Sequence, residues 1–295
     1  MASATEIEIV HVNAPLGHEV RGVDLSRPLA ARTVEAVERI FDMYGVITLR
    51  GQTITPEQHI AFSRHFGPLE RYPIDRFLLP GHPEIFVVSN IVEDGRAIGM
   101  ADAGRVWHSD MHFTATPSRC SLLYAREVPM RDGRALGATL FASTAAAYDA
   151  LPRDIKATVD GRRALNSYSR YVERRSAKVG GGKSGQSERT RQADQHPDVW
   201  HPLVRTHPRT GRKCLYISDE VTCAVEGMGE TEGEQLLKEL LAHITRPEFV
   251  YTHEWQVGDL LIWDNCSAVH NAIGDYGPDE RRLMHRTTVA GGPTF

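Results

Sequence analysis

Cysteine is scarce in this chain, and the four present, Cys120, Cys214, Cys223 and Cys266, form no CxxC pair. A zinc knuckle and a disulfide framework are thereby excluded, and reduced, mostly buried thiols are expected. Long hydrophobic runs are missing as well. No apolar stretch approaches the ~18 residues of a membrane span, and the opening MASATEIEIV has no basic segment leading into an apolar one. A cytoplasmic protein with no membrane association is the resulting expectation. An excess of positive charge is also absent: the formal net charge is −4 and the pI about 6.4. That balance gives no electrostatic case for nucleic acid as partner and favours a small molecule.

The remaining composition is that of an ordinary globular chain, 41% hydrophobic and 24% charged over 295 residues, enough for a sizeable core. One domain spanning residues 1–295 is expected, since β-barrels and sandwiches reach this length as single units. Apolar residues at Val34, Val37, Ile40, Phe41 and Tyr44 predict an amphipathic helix over 32–44. In TPEQHIAFSRHFG, Thr55 predicts a cap, Pro56 a first turn and Gly67 a stop. From Ile85 onward short strand patterns dominate, among them IFVVSNI, VWHSDMHF, CSLLYAREV, DLLIWDN, SAVHNAI and RLMHRTTVAG. The fold class expected is mainly β with flanking helices (α+β), a closed or double-sheet architecture. Residues 173–195, nearly devoid of apolar side chains and carrying a GGG, read as a flexible loop or lid.

Fourteen histidines are more than packing demands, and three attract attention. If VWHSDMHF is a strand, its period of two places His108, Asp110 and His112 on one face. An imidazole and a carboxylate two residues apart can then share one metal ion. Three neighbours on a straight strand spread over roughly 13 Å, so the third ligand must come from elsewhere. His270, in SAVHNAI, is the candidate. Two histidines and one carboxylate on one face of a metal suit a non-haem Fe(II) oxygenase, with zinc the rival on ligand chemistry. Further on, Arg282 and Arg286 lie four apart and share a strand face, while Arg281 and His285 point the other way. Two guanidiniums aimed at an interior call for anions there, and carboxylates are the natural partners.

Taken together, WHSD, WHPLVRTHPRTGRKCLYIS, VGDLLIWDN followed by His270, and RRLMHR with its TTVAG tail make the chain resemble the family of taurine dioxygenase and 2,4-dichlorophenoxyacetate dioxygenase. The likeness covers nearly the whole length. It implies a double-stranded β-helix, the cupin-like jelly roll. It also implies Fe(II), with 2-oxoglutarate and O₂ as co-substrates, and products that include succinate and CO₂. By the same resemblance His108, Asp110 and His270 are the iron ligands, and Arg282 with Thr139 binds the distal carboxylate of 2-oxoglutarate. Arg286 faces the anionic group, sulfonate or carboxylate, of a small organic substrate. A dimer or tetramer is the assembly the likeness suggests.

Departures from the family pattern bear on the substrate. Tyr72 and Asp75 stand where taurine-specific members hold their substrate with a His and a Tyr, Gly104 replaces a substrate-contacting Asn, and His112 replaces a small hydroxyl residue. These positions make Tyr72, Asp75 and His112 substrate-binding candidates and count against taurine itself. An amino-acid-derived carboxylate is one alternative substrate. A zinc hydrolase using the same three ligands, or a jelly-roll module that binds anions without turnover, are the competing readings.

Overall fold

The computed structural model describes residues 7–72, 74–179 and 196–295. Its main sheet has nine strands, running in the order Glu8–Val10, His18–Arg21, Val46–Leu49, Leu260–Asp264, Cys120–Glu127, Leu283–Val289, His82–Ser89 and Leu78–Leu79, with Leu69–Glu70 also paired to Leu283–Val289. All these pairings are antiparallel except that of His18–Arg21 with Val46–Leu49. A second sheet places Thr139–Ser143 between Val250–His253 and Ala268–Ala272. The architecture is the jelly roll expected from the sequence.

Why the central strands read as unbroken apolar runs is clear from their two faces. In Leu260–Asp264, Leu260 and Ile262 pack with Val37 and Phe41 of the helix Ala31–Tyr44, whereas Leu261 and Trp263 pack with Phe141 of the second sheet. The neighbouring Cys120–Glu127 divides the same way: Cys120, Leu122 and Tyr124 face the helix, and Leu123 and Ala125 face inward. A strand buried on both sides has no polar face to alternate with. Ser121 shares the inward parity, so the strand delivers a hydroxyl into the space between the sheets. Strand Leu283–Val289 likewise turns Met284 and Arg286 inward, and Val289 towards the helix.

The local signals near the N-terminus hold. Helix Ala31–Tyr44 ends on Gly45, whose φ of 69° is the left-handed conformation a glycine adopts without strain. Helix Pro56–Ser63 opens with a reciprocal capping box, in which Gln58 N donates to Thr55 Oγ1 (3.3 Å) and Thr55 N to Gln58 Oε1 (2.7 Å). A turn of 3₁₀ helix, Arg64–Phe66, then carries the chain to Gly67. On the far side of the second sheet, helices Thr144–Asp149, Arg153–Val159 and Glu230–Ile244 build a separate apolar cluster around Tyr148, Leu203, Leu240 and Val269.

Two sequence expectations are corrected. VWHSDMHF is not a strand: only His108 makes a β-bridge, to His270, and the chain turns at Met111, where φ is +55°. Of the loop expected over 173–195, residues 173–179 belong to the helix Tyr168–Val179, and 180–195 lie outside the described residues. Among the described residues no helix is long and apolar enough to cross a membrane. All four cysteines are free thiols, three of them buried.

Because the capping box satisfies donors at the start of Pro56–Ser63, Thr55→Ala should lower stability by about 1 kcal/mol. Urea denaturation of the two proteins measures this directly, and no shift in midpoint would contradict it.

Candidate active site

One backbone bridge assembles the centre. His108 N donates to His270 O (3.0 Å) and His270 N to His108 O (2.7 Å), a doubly bonded antiparallel pair between residues 162 positions apart. The side chains of such directly opposed residues emerge on the same face. Their imidazole centroids lie 4.1 Å apart. Asp110, two residues on, brings its Oδ1 to 3.8 Å from His108 Nε2. One ligand atom from each of His108, Asp110 and His270 falls within 4.8 Å of the others, and all three residues are buried.

The donor set suits a divalent ion. His108 Nδ1 lies 2.8 Å from the Val106 carbonyl, which can only accept, so this nitrogen carries the proton and Nε2 keeps its lone pair. The ring of His270 stacks at 23° on Phe141 and rests against Trp263, and its Nδ1 is buried without a partner. Burial, helped by the nearby His108, pushes the His270 imidazole well below its ordinary value and keeps it neutral, as a ligand must be. Burial by itself would raise the Asp110 carboxyl. Arg286 first, then the two imidazoles and Ser121, outweigh that effect and hold it at about 2.

Asp110 is gripped from three directions, by Arg286 and by two residues that sequence reasoning missed, Ser121 and Asn265. Ser121 Oγ donates to Oδ2 (2.6 Å), Arg286 Nη1 donates to Oδ1 (3.1 Å), and the Asp110 backbone N–H donates to Asn265 Oδ1 (3.0 Å). Trp263 Nε1 donates to the same Asn265 oxygen at 3.1 Å. The only local signal was polarity at inward positions of otherwise apolar strands, which period two exposes for Ser121 but not for Asn265 in its turn.

Two cavities meet at His108. One, of about 40 Å³, is lined by Thr139, Trp263, His270, Arg282 and Arg286. Arg282 is 4% exposed, its Nε is buried without a partner, and no carboxylate pairs with it among the described residues. Burial lowers its basicity, against the opposing effect of the Tyr276 hydroxyl that hydrogen-bonds it, and the charge of Arg105 adds to the lowering. Thr139, 4% exposed, shares this cavity. The other cavity, of about 100 Å³, lies on the Asp110 side; Tyr72, Phe86, Phe113, Tyr168 and His196 give part of its wall an aromatic character, and Asp102 and Glu220 also line it. Arg286 lines both, its guanidinium 5.0 Å from the Tyr72 ring and 5.1 Å from that of Phe86.

Two of the residues singled out from the sequence are not brought to this centre. Asp75 lies on the surface, its side chain 72% exposed and paired with Arg71. His112 is buried but turned away, because the positive φ at Met111 breaks the strand alternation that would have aligned it with Asp110. Its ring stacks on Tyr216 and its Nδ1 bonds Ser109 Oγ at 2.8 Å. Tyr72, by contrast, does line the aromatic cavity. Gly104 also has a structural reason: its φ is +70°, and a Cβ there would come within 2.8 Å of His108 Cε1.

A second group with metal-ligand spacing, His207, Asp264 and Cys266, works differently. His207 Nδ1 accepts from the N–H groups of Arg209 and Thr210, so Nε2 must carry the proton it donates to Asp264 Oδ2 (2.8 Å). No imidazole lone pair is left for a metal, and Asp264 Oδ1 is taken up by the N–H groups of Cys266 and Ser267. The group locks two turns together.

The decisive comparison is with the family described as taurine catabolism dioxygenase TauD, TfdA family, which matches residues 9–288. The chain belongs to this family. It is 39% identical to an alpha-ketoglutarate-dependent 2,4-dichlorophenoxyacetate dioxygenase of Cupriavidus pinatubonensis, covering 92% of this chain and 93% of that one. An alpha-ketoglutarate-dependent sulfate ester dioxygenase of Pseudomonas putida is 30% identical, with 98% and 91% covered. Among solved structures, AAD-2 in complex with Mn(II) and N-oxalylglycine superposes with a TM-score of 0.78 at 33% identity, covering 98% of this chain and all of that one. The TauD/TfdA chain is therefore a dioxygenase that uses Fe(II), 2-oxoglutarate and O₂. The zinc-hydrolase and binding-module readings fall with that finding, and the relatives' names do not favour an amino-acid-derived carboxylate.

Loss of the Ser121 hydroxyl should free the Asp110 carboxylate to rotate. Ser121→Ala is expected to weaken Mn(II) binding by roughly 10- to 100-fold, the usual effect of removing a ligand's hydrogen-bond partner. Calorimetric titration with Mn(II) reads this, and an unchanged affinity would show that Arg286 alone suffices.

Proposed function

We propose that His108, Asp110 and His270 hold the iron, that Arg282 and Thr139 receive the distal carboxylate of 2-oxoglutarate, and that Arg286 and Tyr72 face an anionic substrate. The observation that carries this reading is the buried guanidinium of Arg282, which meets the Tyr276 hydroxyl but no carboxylate among the described residues, in a cavity that also contains His270 and Thr139. A buried cation without a protein anion is costly, and an incoming carboxylate relieves that cost.

Counting only the buried groups, and setting aside the half-buried Asp102 and Glu220 of the larger cavity, which have interactions of their own, charge favours an anionic substrate. Arg282, Arg286 and Asp110 together leave one positive charge. A divalent ion raises it to three, dianionic 2-oxoglutarate removes two, and a monoanionic substrate removes the last. Low-dielectric sites reward such neutrality. The aromatic wall opposite Arg286 suits an apolar or aryl body attached to that anion. The substrate class we infer is therefore an aryloxyalkanoate or an organic sulfate ester, in line with what the relatives' names state for those proteins.

When bound, iron supplies O₂ activation coupled to decarboxylation of 2-oxoglutarate to succinate and CO₂. The chain's own residues do the positioning. His108, Asp110 and His270 would hold the ion, and both cavities reach His108. Ser121 and Arg286 fix both carboxylate oxygens of Asp110. Tyr72, half-buried and with its hydroxyl pushed above its ordinary pKa chiefly by desolvation, stays neutral and offers a ring face and a proton donor. Hydroxylation of a carbon that bears an ether or ester oxygen gives a product that falls apart, so one site both hydroxylates and cleaves. A single domain over residues 1–295, cytoplasmic residence and a dimer or tetramer belong to the same reading, and light scattering measures the last.

Anaerobic addition of 2-oxoglutarate to Fe(II)-loaded protein should produce a metal-to-ligand charge-transfer band. In Arg282→Ala the band should require about 10- to 100-fold more 2-oxoglutarate, the effect of losing a charge-assisted hydrogen bond of ~1.5–3 kcal/mol. Candidate aryloxyalkanoates and alkyl sulfates are then scored by succinate release. Wild-type affinity in Arg282→Ala would refute the co-substrate assignment.

A further inference from the structure

Thr139 holds more information than its place in the cavity. Its Oγ1 accepts a hydrogen bond of 3.0 Å from the indole Nε1 of Trp255, a residue 116 positions away and 1% exposed. An indole N–H can only donate, so the direction of this bond is fixed. The hydroxyl has one proton of its own, and among the described residues that proton meets no acceptor. The acceptor side of Thr139 is thus occupied from within the core. Its donor side is left for the cavity it shares with Arg282.

Trp255 is held in turn. Its ring meets that of His253 edge to face, with centroids 4.5 Å apart and planes at 83°. His253, directly opposite Thr139 in the sheet register, is wholly buried. Its Nε2 donates to Asp259 Oδ2 (3.0 Å), and its Nδ1 accepts from the Tyr251 hydroxyl (3.0 Å). Arg50 and the Gln256 N–H bind the same Asp259 oxygen. A buried indole needs some acceptor, and any carbonyl would serve. Here the acceptor is Thr139, the hydroxyl among the described residues lining the cavity of Arg282, and the indole packs on a histidine that Asp259 and Tyr251 hold in place.

Resting on the co-substrate site proposed above, we propose that Trp255 is a positioning residue for 2-oxoglutarate: its indole N–H orients the Thr139 hydroxyl so that the hydroxyl donates to the distal carboxylate. The pair makes the site prefer a 2-oxo acid with a second carboxylate over one without. Thr139 and Arg282 then present donors only, and a terminal methyl group in the carboxylate's place would leave both unsatisfied.

The test is calorimetric binding of 2-oxoglutarate, and of 2-oxovalerate, which lacks the distal carboxylate, to Mn(II)-loaded protein in which no turnover occurs. Trp255→Phe keeps the packing and removes the donor. It should weaken 2-oxoglutarate about three- to tenfold and change 2-oxovalerate by less than about twofold. Thr139→Val should weaken 2-oxoglutarate about tenfold, Thr139→Ser should restore it, and Trp255→Phe should add nothing in the Thr139→Val background. Unchanged 2-oxoglutarate affinity in Trp255→Phe, equal losses for both acids, or additive losses in the double variant would each overturn the proposal. If wild type fails to bind 2-oxoglutarate, the co-substrate site itself is refuted; if only the Trp255 effects are missing, this inference alone is lost. Should Trp255→Phe not fold, the indole N–H resonance of Trp255 in Zn(II)-loaded wild type decides. A shift with 2-oxoglutarate and none with 2-oxovalerate supports the proposal, and any other pattern overturns it.

Discussion

Two backbone hydrogen bonds between His108 and His270 are the constraint on which the rest of the centre depends. They join a non-strand segment to the edge of the second sheet, at a residue whose other neighbour in register is Phe141. Because the two residues face each other as a bonded pair, their imidazoles emerge side by side, and Asp110 follows within reach. Everything else stabilises this junction. Gly104 leaves room for the His108 ring, its carbonyl accepts from Ala272 N, and Phe141 and Trp263 pack the His270 ring. Ser121, Asn265 and Arg286 then set the orientation of Asp110.

Two sheets of unequal size supply different parts of the site. The main sheet provides Ser121, Arg286 and, just before its strand, Arg282, while the second sheet provides Thr139 and His270. The cavity for an anion therefore lies between sheets, where the surroundings are apolar and charge interactions are strong. This arrangement also explains why arginines sit on the inward face of an otherwise apolar strand. Asp110 pairs with Arg286, whereas Arg282 has the Tyr276 hydroxyl beside it and no carboxylate among the described residues.

The core networks reach farther than the ligands. From Arg50, the most exposed member, a chain of contacts runs inward through Asp259 Oδ2 and His253 to Trp255 and Thr139, while Asp259 Oδ1 stays buried without a partner. Connected polar networks of this kind restrict side-chain orientation, which is what holding a small, strongly charged molecule in one pose requires. The His207–Asp264 pair does comparable work at the turn between Leu260–Asp264 and Ala268–Ala272, the strand that presents His270.

Several features were determined by the sequence alone, because their causes are local or periodic. Thr55 and Gln58 cap a helix wherever it lies, and the spacing of Val37 and Phe41 gives one helix a buried face; Arg282 and Arg286 do line one cavity, although Arg282 precedes the strand that period two was applied to. His108, Asp110 and His270 were legible from an HxD pattern and a distant His set among family motifs. Tertiary structure decided what depends on one backbone angle or on pairing across long separations. The positive φ at Met111 removed His112 from the face that period two had given it, and a surface ion pair with Arg71 took Asp75 away. Ser121, Asn265 and Trp255 joined the site through register and turns, across 11 to 155 positions of chain, and periodicity says which face a residue occupies but not what stands opposite it.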